Sequence, residues 1–199
     1  MIQFILLLIL IISLSIILTP VLALSEIEDE IEVTPPPNWK PSNSIDTSAS
    51  MIWFQNSTKS VFAIVKAPNN LVAPLFLAGP LLTGYLKYKG ILESADQLNF
   101  GHNNHGYRYF LNLSSPSDLL NSSSGLIPTK DFLQEIPQGY DIPYQGMLIL
   151  TEKHGGLYAI ILLSPTDSFN SILNEINPTL GSIHLTKYNK IENRVTTCL

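Results

Sequence analysis

His102 and His105 are the side chains of this sequence whose type and spacing suit metal binding. Two imidazoles three residues apart can meet one ion from a turn or a helix face, and zinc or copper suits such nitrogen donors. A structural or catalytic centre needs a third or fourth ligand. His154, His184, Asp96 and Asp141 are candidates, each only if the fold carries it to the pair. The plain alternative is that polar turns contain histidine without ligating anything.

Other chemistry is hard to find. No Gly-x-Ser-x-Gly elbow, no Gly-x-x-x-x-Gly-Lys phosphate loop and no His-Glu-x-x-His is present. The single cysteine, Cys198, lies next to the C-terminus with no base beside it and no partner for an internal disulfide. Serines cluster with turn residues, where local backbone bonding accounts for them. The sequence therefore asks for no enzyme and for no cofactor beyond the divalent metal that the histidines suggest. Sequons begin at Asn56, Asn112 and Asn121 and become glycan acceptors if the chain is exported.

The elements that would position these residues follow from local pattern. Met51 to Gln55 and Ser60 to Ala67 are rich in β-branched and aromatic residues and flank Asn56 to Lys59, a β-hairpin pattern. Leu71 to Leu86 is apolar and uncharged, but short of about 20 residues and interrupted by Pro74, Gly79, Pro80 and Gly84. A helix packed on a sheet, kinked at Pro80, fits it better than a membrane span. Contact with lipid or a membrane partner is its functional alternative.

Further on, Gln97 to Gly101 and Tyr107 to Leu113 read as strands across a polar turn, His102 to Gly106. Ser114 to Ser124 reads as a loop. Met147 to Glu152 and Leu157 to Leu163 flank Lys153 to Gly156, the clearest hairpin of the chain. Thr166 or Asp167 would cap a helix running to about Glu175, with Ile172, Leu173 and Ile176 as its apolar stripe. Leu180 to Leu185 closes the domain. The aromatic residues Trp39, Trp53, Phe54, Tyr107, Tyr109 and Tyr158 read as core or sheet-face residues.

Charge and hydropathy set the context. Residues 1–23 carry no Asp, Glu, Lys or Arg, and between Ile2 and Leu18 only Gln3, Ser13 and Ser15 break the apolar run. Such a run is stable in lipid as a helix. It predicts a signal peptide or membrane anchor over 1–24 and an extracytoplasmic location, anchored to the cell membrane or secreted. The weakly basic start and long run favour an anchor, whereas Pro20 to Ala23 favour cleavage. The net charge of −5 is local: Glu26, Glu28, Asp29, Glu30 and Glu32 hold five acids without a base. No Lys/Arg cluster exists elsewhere, which argues against nucleic acid as a partner. Residues 25–37, acidic and ending in Pro35-Pro36-Pro37, predict a stalk, and residues 187–199 a flexible tail.

In this order the elements resemble the PsbP-like family, chiefly through the Lys153 to Gly156 hairpin and the run GLYAIILLSPTDSFNSILNEINPTLGSIHL, Gly156 to Leu185. The opening at Asn38-Trp39 and the Met51 to Ala67 hairpin are similar to the family's beginning. Leu71 to Leu86 departs from it, the family's helix being more polar, as does the loop from Ser114 to Thr129. The resemblance covers residues 38–186. It implies an α+β fold, an α/β/α sandwich with a central antiparallel sheet, and a non-catalytic accessory role with no transferable site residue. Its photosynthetic members assist the oxygen-evolving complex. The expectation is an exported accessory or binding module with an unknown protein partner. Its alternatives are a metal-binding protein using His102 and His105, and membrane docking through Leu71 to Leu86.

Overall fold

The computed structural model describes residues 29–42, 50–67, 74–122 and 142–187. The apolar leader, Asp141, Cys198 and the tail beyond residue 187 lie outside the described residues. In chain order the elements are β1 (Asp29–Glu32), β2 (Lys40–Pro41), β3 (Ser50–Gln55), β4 (Ser60–Lys66), α1 (Leu75–Tyr88), β5 (Leu92–Phe100) and β6 (Asn104–Leu113). They continue with α2 (Ser117–Ser122), β7 (Tyr144–Lys153), β8 (Gly156–Pro165), α3 (Phe169–Ser182) and β9 (His184–Lys187). Seven strands form one antiparallel sheet in the order β2-β3-β4-β8-β7-β6-β5, and β1 pairs with β9.

Helices on both faces of the sheet explain why its middle strands lack the apolar–polar alternation of a half-buried strand. Residues 157–164 of β8 and residues 60–65 of β4 are buried without interruption. On one face α1 contributes Ala78, Leu82 and Leu86 to a core with Ala63, Tyr109, Leu111, Leu148 and Ile161. On the other, α3 contributes Phe169, Ile172, Ile176 and Leu180 to a core with Phe62, Ile64, Met147, Ile149 and Ile160. The described part is thus the α+β sandwich with a central antiparallel sheet that the sequence predicts. The β7–β8 turn is a two-residue connection with positive φ at His154 (51°) and Gly155 (82°), the primed geometry that matches the twist of paired strands.

Several boundaries differ from the sequence reading. Half-way along the predicted stalk, Asp29–Glu32 is β1, with Ile31 only 3% exposed in the α3-side core, so the folded unit begins at Asp29 rather than Asn38. The acidic neighbours of Ile31 conceal a strand whose apolar side chains need only every second position. The turn after β5 is Gly101–His102–Asn103, and His105 and Gly106 belong to β6. Positive φ at Gly101 (51°) and Asn103 (58°) closes it. A short helix, α2, occupies the expected Ser114 to Ser124 loop, and its Asp118 accepts a hydrogen bond from the Ser115 amide at 3.0 Å. Finally α3 has Ser168 at its N-cap position, its hydroxyl donating back to Pro165 O at 3.2 Å rather than capping the helix, and runs past Glu175 through Pro178 to Ser182. Proline forfeits one backbone bond, but burial of Thr179 and Leu180 in the next turn carries the helix onward.

Candidate functional site

The helix α1 is the part of the described molecule where sequence and surroundings disagree most. It begins after Pro74, and its first amide, Leu75 N, donates to Glu152 Oε2 of β7 at 2.7 Å, satisfying one of the orphan donors of a helix start. Gly79 lets the helix settle close to β6: a Cβ there would stand 2.5 Å from the Tyr107 ring. The Tyr109 hydroxyl, itself buried, donates to Gly79 O at 2.8 Å, and Thr83 Oγ1 donates to the same carbonyl at 3.0 Å. Burial pushes the Tyr109 phenol up to about 12.

With that inner face seated, the outer face remains apolar. Phe76 is 67% exposed, Leu77 49%, Leu81 68% and Tyr88 84%. Leu77 and Leu81 are one turn apart, and Pro80 and Gly84 lie beside them, also exposed. Four of the five large hydrophobic side chains exposed among the described residues are on this helix. The helix has no acidic residue; Lys87 is in its last turn and Lys89 follows, with Lys89 Nζ 5.7 Å from the Tyr85 ring centroid. The outer face of α3 is built differently, from Asn170, Ser171, Asn174 and Asn177. One helix presents carbon to the outside and the other presents amides and a hydroxyl. No helix among the described residues is long and apolar enough to cross a membrane.

The histidines separate from their expected pairing. His105, in β6, contacts Asn99 Oδ1 of β5 through Nδ1. His102, in the β5–β6 turn, instead meets His184 at the start of β9, with ring centroids 4.9 Å apart. The cross-strand neighbour of His184 is Glu32, whose Oε2 lies 3.4 Å from His184 Nδ1. His154 is in the β7–β8 turn. The β6–β7 register, with Gly106 opposite Thr151, puts that turn at the same end of the sheet as the β5–β6 turn. Asp96, another candidate ligand, is engaged by Arg108 at 2.9 Å (Nε–Oδ1) and 2.5 Å (Nη2–Oδ2). That hydrogen bond is the chief cause raising the guanidinium above its ordinary value. Among the described residues no three His, Cys, Asp or Glu side chains are grouped to hold a metal ion.

Of the sequons, Asn56 stands exposed in the β3–β4 turn, where a glycan has room. Asn112 is exposed near the end of β6, opposite Gln145 of β7, and Asn121 lies within α2. Asn112 also borders an open depression of about 500 Å³ with Gly90, Ser114, Tyr144 and Thr166, whose lining has no carboxylate, histidine, lysine or cysteine. Trp39 is buried, and its indole Nε1 donates to Glu175 Oε1 at 2.9 Å, so it ties the β2 side of the fold to α3.

No protein-family model matches this chain, and no curated protein matches it. Among solved structures it is similar to a protein from Bacteroides thetaiotaomicron, at 12% identity over 79% of this chain and 45% of that one, with a TM-score of 0.45. It is similar to cyanobacterial PsbP from Synechocystis at 10% identity, over 82% of this chain and 96% of that one, with a TM-score of 0.43. It is also similar to the Ran-binding protein Mog1p of Saccharomyces cerevisiae at 7% identity, over 79% and 90%, with a TM-score of 0.41. The chain therefore spans less than half the length of the Bacteroides protein. The family named by the sequence resemblance is represented among these structures. At such identities and scores no function passes from any of them to this chain.

Proposed function

We propose that this protein is a non-catalytic docking module that works outside the cytoplasm, is brought to a membrane by its leader, and lays the outer face of α1 against lipid. The observation that carries this reading is the exposure of Phe76, Leu77 and Leu81 on one helix face. Monomeric domains rarely leave large apolar side chains contiguous unless the patch meets a partner or a membrane. Lipid is favoured over a protein groove by charge. The helix lacks acids and ends in Lys87 and Lys89, which suits an anionic headgroup layer beneath inserted apolar side chains. At 14 residues α1 is too short to span a bilayer, so it would lie along the surface. Export and tethering rest on the charge-free residues 1–23.

Flotation with anionic liposomes tests the reading. The unit of residues 29–187 contains both cores and does not include residues 1–28, so the leader cannot supply the binding. The unit is expected to float with vesicles rich in phosphatidylglycerol and to stay behind when Phe76→Ser and Leu81→Ser are combined. Each buried side chain contributes about 1.5–3 kcal/mol, so the pair corresponds to a loss of at least ~100-fold. A wild-type unit that never enters the floating fraction would eliminate lipid and leave a protein as the occupant of this face.

A further inference from the structure

We propose that His102 and His184 together form a surface site for a divalent transition-metal ion, zinc or copper, with Glu32 fixing the orientation of His184. The site differs from the sequence pair, because His105 is directed to Asn99. It is drawn from three separate parts of the chain: the end of β1, the β5–β6 turn and the start of β9.

Two imidazoles bound through nitrogen to one tetrahedral ion, each at ~2.0–2.1 Å, hold their ring centroids roughly 5 Å apart. The His102 and His184 centroids are 4.9 Å apart with the planes at 37°. With His184 held by Glu32, rotation of the exposed His102 ring would turn its nitrogen towards that of His184, whose side chain is 42% exposed. Metal-binding histidines usually give their other ring N–H to a carboxylate, which fixes the tautomer and raises the basicity of the ligating nitrogen. Glu32 Oε2 at 3.4 Å from His184 Nδ1 occupies that position and leaves Nε2 for the ion. Glu32 then acts as an orienting group rather than a ligand. The site has two protein ligands, consistent with the lack of any three-ligand group among the described residues. Solvent would complete the coordination, and the ion would exchange readily.

His102 N donates to Ile183 O at 3.2 Å, and Asn104 Nδ2 donates to the same oxygen at 3.1 Å. That oxygen belongs to the residue before His184, so the two histidines are linked through one carbonyl. Gly101 adjoins this contact so closely that a Cβ would fall 2.2 Å from Ile183 O. The side-chain amide oxygen of Asn104, a residue 1% exposed, is buried without a hydrogen-bond partner, while its Nδ2 is held on Ile183 O. Surfaces with preset ligands lose little conformational entropy on binding.

Calorimetric titration of Zn²⁺, and separately Cu²⁺, into the full chain in detergent micelles tests the proposal, with Cys198→Ser removing the one thiol. One ion per chain is expected. His102→Ala or His184→Ala should weaken binding at least tenfold, and Glu32→Gln several-fold. His105→Ala and His154→Ala should leave it unchanged. Because the ion would join the β1–β9 pair to the β5–β6 turn, saturating metal should also raise the Tm of the parent protein but not of the His102→Ala/His184→Ala protein. Circular dichroism of each metal-free variant shows whether it is folded. Absence of binding in the parent protein overturns the proposal. So does binding that survives the double substitution, or that disappears with His105→Ala.

Discussion

Gly79 and Gly84 occupy the same helix in opposite surroundings. A methyl group at Gly79 meets the Tyr107 ring at 2.5 Å, whereas nothing lies within 4 Å of one at Gly84. Overpacking costs about 1–3 kcal/mol, and replacing a helical glycine by alanine recovers about 1 kcal/mol. Gly79→Ala should therefore destabilise the fold by about 1 kcal/mol net, and Gly84→Ala should stabilise it by up to about 1 kcal/mol, both read from urea midpoints at constant m-value. Tyr109 provides a second test. Its phenol is raised to about 12, chiefly by burial, above the usual value near 10. The folded state then retains a proton that the unfolded state releases, so stability is complete below about pH 10 and falls as the pH rises through 12. The difference in unfolding free energy between wild type and Tyr109→Phe should narrow across that interval. A difference that stays constant across it would refute the assignment.

At the scale of elements, β1 and β9 show how a sequence expected to be a stalk can be folded. Ile31 pairs with Leu185, and both are buried with Trp39 and α3. Ile31→Ala should cost about 2–4 kcal/mol, as truncation of a buried aliphatic side chain does. In an extended stalk the same change would leave thermal unfolding where it was. The helices illustrate a related point. Each is bound to the sheet by one face: α1 through Ala78, Leu82 and Leu86, and α3 through Phe169, Ile172 and Ile176. An apolar stripe alone predicts that α3 is amphipathic, and it is. It cannot predict which apolar residues of α1 are left over, because nearly every residue of that segment is apolar.

For the molecule as a whole, the consequence is asymmetry between the two helical layers. The sheet is covered on both faces, yet of α1 and α3 it is α1 that leaves large apolar side chains exposed among the described residues. Exposed positions contribute little to folding. Leu77→Gln with Leu81→Gln should therefore change the unfolding free energy by no more than about 0.5 kcal/mol per site, while abolishing co-flotation with anionic vesicles. Stability lost in proportion to binding would instead mean that this face packs against the rest of the protein. The four histidines define a second asymmetry. The hairpin turns and β9 gather His102, His154 and His184 towards one end of the sheet, with His105 just inside β6.

The β3–β4 and β7–β8 hairpins, the apolar helix after β4 and the amphipathic helix after β8 were legible from local pattern, because periodicity and turn chemistry act over a few residues. The sequence by itself also determined the charge-free apolar run of residues 1–23, the isolated acidic run and the lack of any Lys/Arg cluster along the chain, all of which are properties of composition. Strand β5 was only partly legible, since residues 93–97 are exposed on both faces of an edge and keep no hydrophobic period. The partner of His102 was decided by tertiary structure alone. His105, three residues away, was the natural choice by spacing, but β6 directs it to Asn99, while chain closure brings His184 from 82 positions further on to within 4.9 Å. Local pattern fixes which residues enter an element. Long-range pairing fixes which side chains from different elements share a site.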